Sequence, residues 1–282
     1  MFVIIKGAGD LASGIALRLH HAHFDIAMTE IAFPLAVRRT VCFSQAVYEG
    51  SARVEDVTAV LVKDEEGMRA AFAKKQIPLF IDPHADIVRR FKPDAVVDGI
   101  MAKENLGTRI GDAPVVIGIG PGFTAGLDCH GVIETKRGHT IGRVITKGSA
   151  LPNTGIPGDI GGYTSERLLR APADGIFEAK AEIGDPVKKG DVVGVVKTAG
   201  AVGPEARNVP VYAEIDGILR GLLPSGIAVT RGLKAGDIDP RCEKFHCFTV
   251  SDKALSIAGG VLEAILALWP PSAAPDTHPC GF

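Results

Sequence analysis

Within fifteen residues the chain gathers Cys129, His130, Glu134, Arg137, His139 and Arg143. A thiolate is the reactive form of cysteine, and nearby cations lower its pKa. Guanidinium and imidazole groups hold anions. This pattern makes Cys129 a candidate catalytic thiol and Arg137, His139 and Arg143 a candidate anion lining. Strand alternation places Cys129 and Gly131 on one side and His130 and Val132 on the other, so a buried strand cysteine is the alternative.

A second constellation opens the chain. Gly7-Ala8-Gly9-Asp10-Leu11-Ala12 is a G-x-G-x-x-A turn after the apolar run Phe2-Val3-Ile4-Ile5. Such a turn lets backbone approach a phosphate and presents the orphan N–H groups of a helix start to it. Gly7, Gly9, Asp10, Leu11 and Ala12 are therefore candidate cofactor-binding positions, with Glu30 at the distance of an acid that meets a ribose hydroxyl. Arg38 and Arg39 follow, either as phosphate ligands or as a solvated face. The stretch Gly118 to Gly126 could form an anion nest through Gly122 and Thr124, or simply a strained connection.

The elements that would position these groups read as alternating strands and helices. Strands are expected at Phe2–Ile5, Phe24–Glu30, Thr58–Val62, Ile77–Ile81 and Ala95–Ile100, and helices after Gly14, over Glu65–Lys75 and over Ala85–Phe91. That order predicts a Rossmann-like parallel sheet whose ligands gather at the carboxyl ends of the strands. Asp82 and His84 in one turn suggest an acid–base pair, with helix capping as the plainer reading. The glycine-rich loop Asn153 to Tyr163 suits a lid or binding loop.

From Arg170 the chain repeats itself. Asp174-Gly175-Ile176, Gly184, Val187 and Gly190 recur as Asp216-Gly217-Ile218, Gly226, Val229 and Gly232. Short strands with glycine turns, duplicated, predict a small barrel with pseudo-two-fold symmetry. Ala171 to Gly175 and Val187 to Asp191 resemble biotinyl/lipoyl hammerhead domains. The Met-Lys-Met setting of their carrier lysine is missing around Lys197, so an unmodified barrel is expected, with a long loop up to Val209. Cys242, His246 and Cys247 invite a zinc reading, but they lack paired C-x-x-C halves and a fourth ligand, so no metal is assigned. Ser251 should cap a last helix running to Leu268.

The expected organisation is a nucleotide-binding domain over 1–113, a glycine-rich β connection over 114–170 and a duplicated barrel over 171–240. A helix packing back over 241–269 and a flexible tail over 270–282 complete it. A net charge of −2, without a basic stripe, argues against nucleic acid as partner. Five cysteines, an odd number, and no processable leader before the first apolar run favour reduced thiols and a cytoplasmic location. The apolar stretch Ala254–Trp269 carries Glu263 and is short for a membrane span, so it reads as a core helix.

Together, Lys6–Gly14, Met28–Glu30, Arg38–Val41, Gly120–Gly126, Glu134–His139 and Pro152–Gly158 resemble the YqeB family, across Val3 to about Leu268. That resemblance implies an accessory or maturation factor for a selenium-dependent molybdenum hydroxylase, related to XdhC-like factors. The implied partners are the hydroxylase apo-enzyme and a small anionic cofactor, either a molybdopterin-type cofactor or NAD(P). Homo-oligomerisation stays open. The alternatives are an NAD(P)-dependent oxidoreductase, for which Tyr163 lacks the matching lysine, and a non-catalytic docking module.

Overall fold

The computed structural model describes residues 1–155, 157–198 and 207–269. The expected loop after Thr198 and the tail from Pro270 lie outside the described residues, as does Cys280.

The first lobe is built on one sheet. Its elements are β1 (Phe2–Lys6), α1 (Asp10–His21), β2 (Asp25–Glu30), α2 (Ala46–Glu49), β3 (Ser51–Val54), β4 (Val57–Val62), α3 (Glu65–Ala73), β5 (Ile77–Ile81), α4 (Ile87–Phe91), β6 (Ala95–Asp98), β7 (Val115–Ile119), β8 (Gly131–Ile133) and β9 (Val144–Ile145). The strand order is β3-β4-β5-β2-β1-β6-β7-β8-β9. Neighbours from β4 to β8 run parallel, and β3 and β9 close the two edges antiparallel. Central strands such as β1 and β7 are apolar and buried along nearly their whole length, as strands covered on both faces must be.

The second lobe contains β10 (Leu168–Arg170), β11 (Gly175–Ala179), β12 (Pro186–Val187), β13 (Val192–Thr198), β14 (Arg207–Tyr212), β15 (Gly217–Leu222), β16 (Ala228–Val229) and β17 (Lys234–Asp239). These strands form two four-stranded antiparallel sheets, β10-β17-β15-β12 and β14-β13-β11-β16. Phe177, Val193 and Val196 from one sheet meet Leu219, Leu222 and Ile238 from the other in a shared core. The sequence repeat is realised strand for strand. β12 of the first copy pairs with β15 of the second, and β16 of the second pairs with β11 of the first.

The chain then returns to the first lobe as α5 (Asp252–Leu268), capped by the Ser251 hydroxyl accepting from the Ala254 N–H at 3.2 Å. Its apolar face, including Ile257, Val261 and Ile265, joins the same core as Ile15 and Leu19 of α1.

This architecture corrects the expected fold of a Rossmann-like parallel sheet followed by a hammerhead-like barrel. The stretch taken as a glycine-rich connection supplies β7, β8 and β9 to one nine-stranded mixed sheet, because Val115–Ile119 is buried on both faces. The edge strand β3 was hidden by the polar residues that alternate with Ala52 and Val54, while its antiparallel partner β4 falls on the expected strand Thr58–Val62. The repeats make two separate sheets around one core rather than a single small barrel.

Close approach of α1 and α5 depends on Gly14. A Cβ there would lie 2.7 Å from the Ala254 Cβ and 3.0 Å from Val250 Cγ1. Gly14→Val should therefore destabilise the protein by about 1–3 kcal/mol through overpacking, read as a lower urea midpoint at unchanged slope.

Candidate functional site

The two lobes meet along the segment after β2. The Leu222 N–H donates to the Val37 carbonyl at 2.8 Å, and Arg39 Nε donates to the Leu222 carbonyl at 2.8 Å. Arg38, 6% exposed, turns the other way. Its Nη1 donates to both Asp10 oxygens at 3.1 and 2.9 Å, and its Nη2 donates to the His246 and Thr249 carbonyls at 3.0 and 3.2 Å. The two adjacent arginines thus serve different places.

Beside this seam lies a cavity of about 540 Å3. Asp10 and Leu11 at the start of α1 and Ser251 and Lys253 at the start of α5 line it, so two helix N-termini open on one space. The amino end of a helix carries partial positive charge. The glycine-rich loop contributes Asn153, Thr154, Gly155, Pro157, Gly158 and Ile160.

The charge balance around the cavity is one-sided. Arg38, Lys103, Lys136, Arg137, Arg167, Arg220, Lys234 and Lys253 face two carboxylates, Asp10 and Asp237. Both carboxylates are engaged. Asp10 holds Arg38, while Asp237 accepts from Arg167 Nη1 and from Arg220 Nε, each at 2.7 Å. Arg220 also reaches Asp239 at 3.3 Å, which in turn holds Arg241 at 2.7 Å. Arg137 makes a bidentate pair with Asp252 at 2.7 and 3.0 Å. Among the described residues no carboxylate lies within ion-pair distance of Lys103, Lys136 or Lys253. Arg38 Nε and Arg167 Nε, on two side chains that are nine-tenths buried, have no hydrogen-bond partner there.

This crowding moves proton equilibria. Burial, and then the neighbouring Arg137, lower the Lys253 ammonium from its ordinary value. Burial lowers Lys234 as well; Arg220 and Arg167 add to the effect and Asp237 opposes it. Burial would raise Asp237, but the charges of Arg220 and Lys234 and the Arg220 hydrogen bond outweigh it and hold the carboxyl below its usual range.

The sequence-derived candidates divide accordingly. Asp10, Leu11, Arg38 and Arg137 line the cavity. Gly7, with φ +88°, donates its N–H to the Thr29 carbonyl and packs against the Gly99–Ile100 backbone. Gly9 precedes α1 as an extended N-cap without a side-chain bond, and Ala12 is buried against Gly99. Arg39 borders a separate cleft with Lys180 and Glu182. Gly122 closes on the backbone of Glu104, and the Thr124 N–H is engaged by Asp128 Oδ2 at 2.7 Å. The Gly120, Ala125 and Gly126 amides bond to other carbonyls, so with Thr124 four amides of this stretch are taken by the protein's own acceptors. His139 and Arg143 are exposed and stand outside the cavity wall. Cys129 is buried, also outside that wall, and burial pushes its thiol up to about 11. That is opposite to the shift a reactive thiolate needs.

Asp82 Oδ2 accepts from the Ile87 N–H at 2.9 Å, which is helix-capping geometry. Among the described residues no group of three or more His, Cys, Asp and Glu is placed to hold a metal. Cys247 is buried with its sulfur toward the Leu219 carbonyl, while Cys242 is exposed.

The decisive residues that sequence reasoning passed over are Arg167, Arg220, Lys234, Asp237 and Lys253. A signal for three of them lay inside the repeat. At offset 42, Glu178, Val192 and Val195 of the first copy become Arg220, Lys234 and Asp237 in the second. The charges concentrate where the second copy departs from the first.

Compared with known proteins, the chain matches no family model. It is similar to the Uncharacterized protein YqeB of Escherichia coli (strain K12), 48% identical over 266 residues. That match takes in 94% of this chain and 47% of the relative, so the chain spans about half of that protein's length. The resemblance to YqeB is thereby shown over nearly the whole chain. Among solved structures, the chain is similar to an aspartoacylase family protein from Mesorhizobium loti (15% identity, 84% of each chain, TM-score 0.29). Another is a succinylglutamate desuccinylase/aspartoacylase from Rhodobacter sphaeroides (14%, 84% of each chain, TM-score 0.28). At those scores the likeness carries no argument about this chain.

These observations correct the expected function and cofactors. Nothing in the comparisons connects the chain with molybdenum, selenium or XdhC-like factors: no family model matches, and the relative's name states no activity. A molybdopterin-type cofactor or NAD(P) at the glycine turn conflicts with the turn itself. The Glu30 carboxylate, expected at a ribose, accepts from the Ala8 and Ile31 N–H groups at 2.9 Å each and closes the turn from within. Burial raises its pKa despite those bonds. Maturation of a molybdenum hydroxylase, the NAD(P)-dependent oxidoreductase and the docking module are set aside together.

Removing one partner of a buried ion pair strands the other, at a cost of about 3–5 kcal/mol. Asp237→Asn should lose stability on that scale at neutral pH. Because the folded pKa of Asp237 is depressed, its contribution is complete above the unfolded value and disappears as pH falls through the folded one. The gap between D237N and the parent should therefore narrow below about pH 4, measured by urea titration across pH. In a second measurement, native alkylation with peptide mapping should label Cys242 well ahead of the buried Cys42, Cys129 and Cys247.

Proposed function

We propose that the protein binds a small molecule carrying at least two anionic groups, carboxylate or phosphoryl, in the cavity between its lobes. One observation carries this reading: eight basic side chains surround the cavity against two carboxylates, both already engaged by arginines. A cavity of about 540 Å3 suits a metabolite-sized ligand. The two helix N-termini add donors of the same sign, and Lys253, a cation in the first turn of α5, is unfavourably placed until an anion joins it. The site in this reading is Asp10, Leu11, Arg38 and Arg137 from the first lobe with Arg167, Arg220 and Lys234 from the second. Among the described residues no helix is long and apolar enough to cross a membrane, and we place the protein's work in the cytoplasm, among reduced thiols.

Calorimetry with citrate and with inorganic pyrophosphate tests the reading. Binding should weaken as salt is raised. Lys136→Ala and Lys253→Ala should each reduce affinity about fivefold, the scale of a partly exposed charge contact. Silence with both anions, or affinity unchanged in the double variant, would refute it.

A further inference from the structure

Lys234 stands apart among the cations of the cavity. It begins β17, lines the cavity, and keeps 42% of its side-chain surface accessible. Its Nζ lies 3.9 Å from Asp237 Oδ2, an oxygen that Arg167 Nη1 already approaches to 2.7 Å. The other Asp237 oxygen accepts from Arg220 Nε at 2.7 Å. Three cations therefore share one carboxylate, and the two guanidiniums hold the short contacts. Asp239 draws part of the Arg220 charge but is itself shared with Arg241. A guanidinium does not give up its proton in this setting; an ammonium can.

We propose that Lys234 is a nucleophilic amine that condenses with the carbonyl of a 2-oxo carboxylate bound in the cavity. The inference rests on the anion-site reading and adds to it the class of ligand and the reacting atom. The neutral Nζ lone pair attacks the carbonyl carbon, and the C=O π pair moves onto oxygen. One proton passes from the attacking nitrogen to that oxygen and a second arrives from solvent, so that it leaves as water and an iminium remains between Nζ and the former carbonyl carbon, with no oxidant or reductant required. The ligand's carboxylate would sit among the basic groups that surround the amine. A lysine crowded by protein and by other cations loses its proton more readily; desolvation by the surrounding protein moves Lys234 that way, Asp237 opposes it, and Arg220 and Arg167 add to it.

The test is reductive trapping on the whole protein. Oxaloacetate or 2-oxoglutarate is added with sodium borohydride near neutral pH, and the product is read by intact mass and peptide mapping. The expected result is one adduct per chain, located on Lys234 and suppressed by excess glutarate, which has the charges without the carbonyl. Lys234→Arg should lose the adduct. No adduct with either 2-oxo acid, while glutarate binds, overturns the inference and leaves the anion site standing. Failure of glutarate binding as well overturns both. An adduct spread over surface lysines, or persisting in K234R, overturns the inference. The wild-type peptide map decides the outcome even if K234R does not fold.

Discussion

The architecture hangs on the Arg38 guanidinium. One edge of its fork grips the carboxylate that begins α1, and the other grips two carbonyls of the turn leading into α5. At 6% exposure this charge has almost no water to fall back on, so its partners must be in place. Those partners come from distant parts of the chain, so one buried charge ties the start of α1 to the turn before α5, while the neighbouring residues Val37 and Arg39 hold the second lobe through Leu222. The strand-like contact of Val37 with Leu222 runs alongside it and sets the spacing.

The cavity follows from that relation. Its first wall is the pair of helix starts at the carboxyl edge of the large sheet, and its second is the charged face of β15 and β17. Neither wall is a site alone. The sheet edge offers Lys103, Lys136 and Lys253 and an arginine already paired with Asp252, and the β lobe offers cations gathered around Asp237. Brought together, they enclose an excess of positive charge that the chain's own carboxylates leave uncompensated.

Much of the framework was legible. The strands Phe2–Lys6, Ile77–Ile81 and Ala95–Asp98 announce themselves as short apolar runs, and Ser251 announces α5 through its cap. The repeat was visible because glycines at positive φ, such as Gly184 and Gly226, recur at fixed offsets. The site was far less legible. Arg38 attracted notice as a phosphate ligand, yet its role depends on where residues 246 and 249 arrive, which no local pattern encodes. Glu30 has the type and spacing of a ribose acid, but its carboxylate folds back onto the Ala8 amide. Cys129 sits in a cation-rich stretch of sequence and in an apolar stretch of space. Spacing identifies neighbours along the chain; the exchange of partners across lobes decides chemistry here.

The crossed pairing of β12 with β15 and of β16 with β11 has a bearing on how the molecule comes into being. Neither half of the duplicated segment can close its own sheet, because each lends a short strand to the other. A growing polypeptide halted after Ile215 would leave β12 without its neighbour, and the apolar side chains of β11 and β13 would stand open to water. Assembly of this lobe therefore waits until the second copy has been made, and the two copies form one cooperative object. A gene encoding a single copy would have to build the same lobe as a symmetric pair of chains.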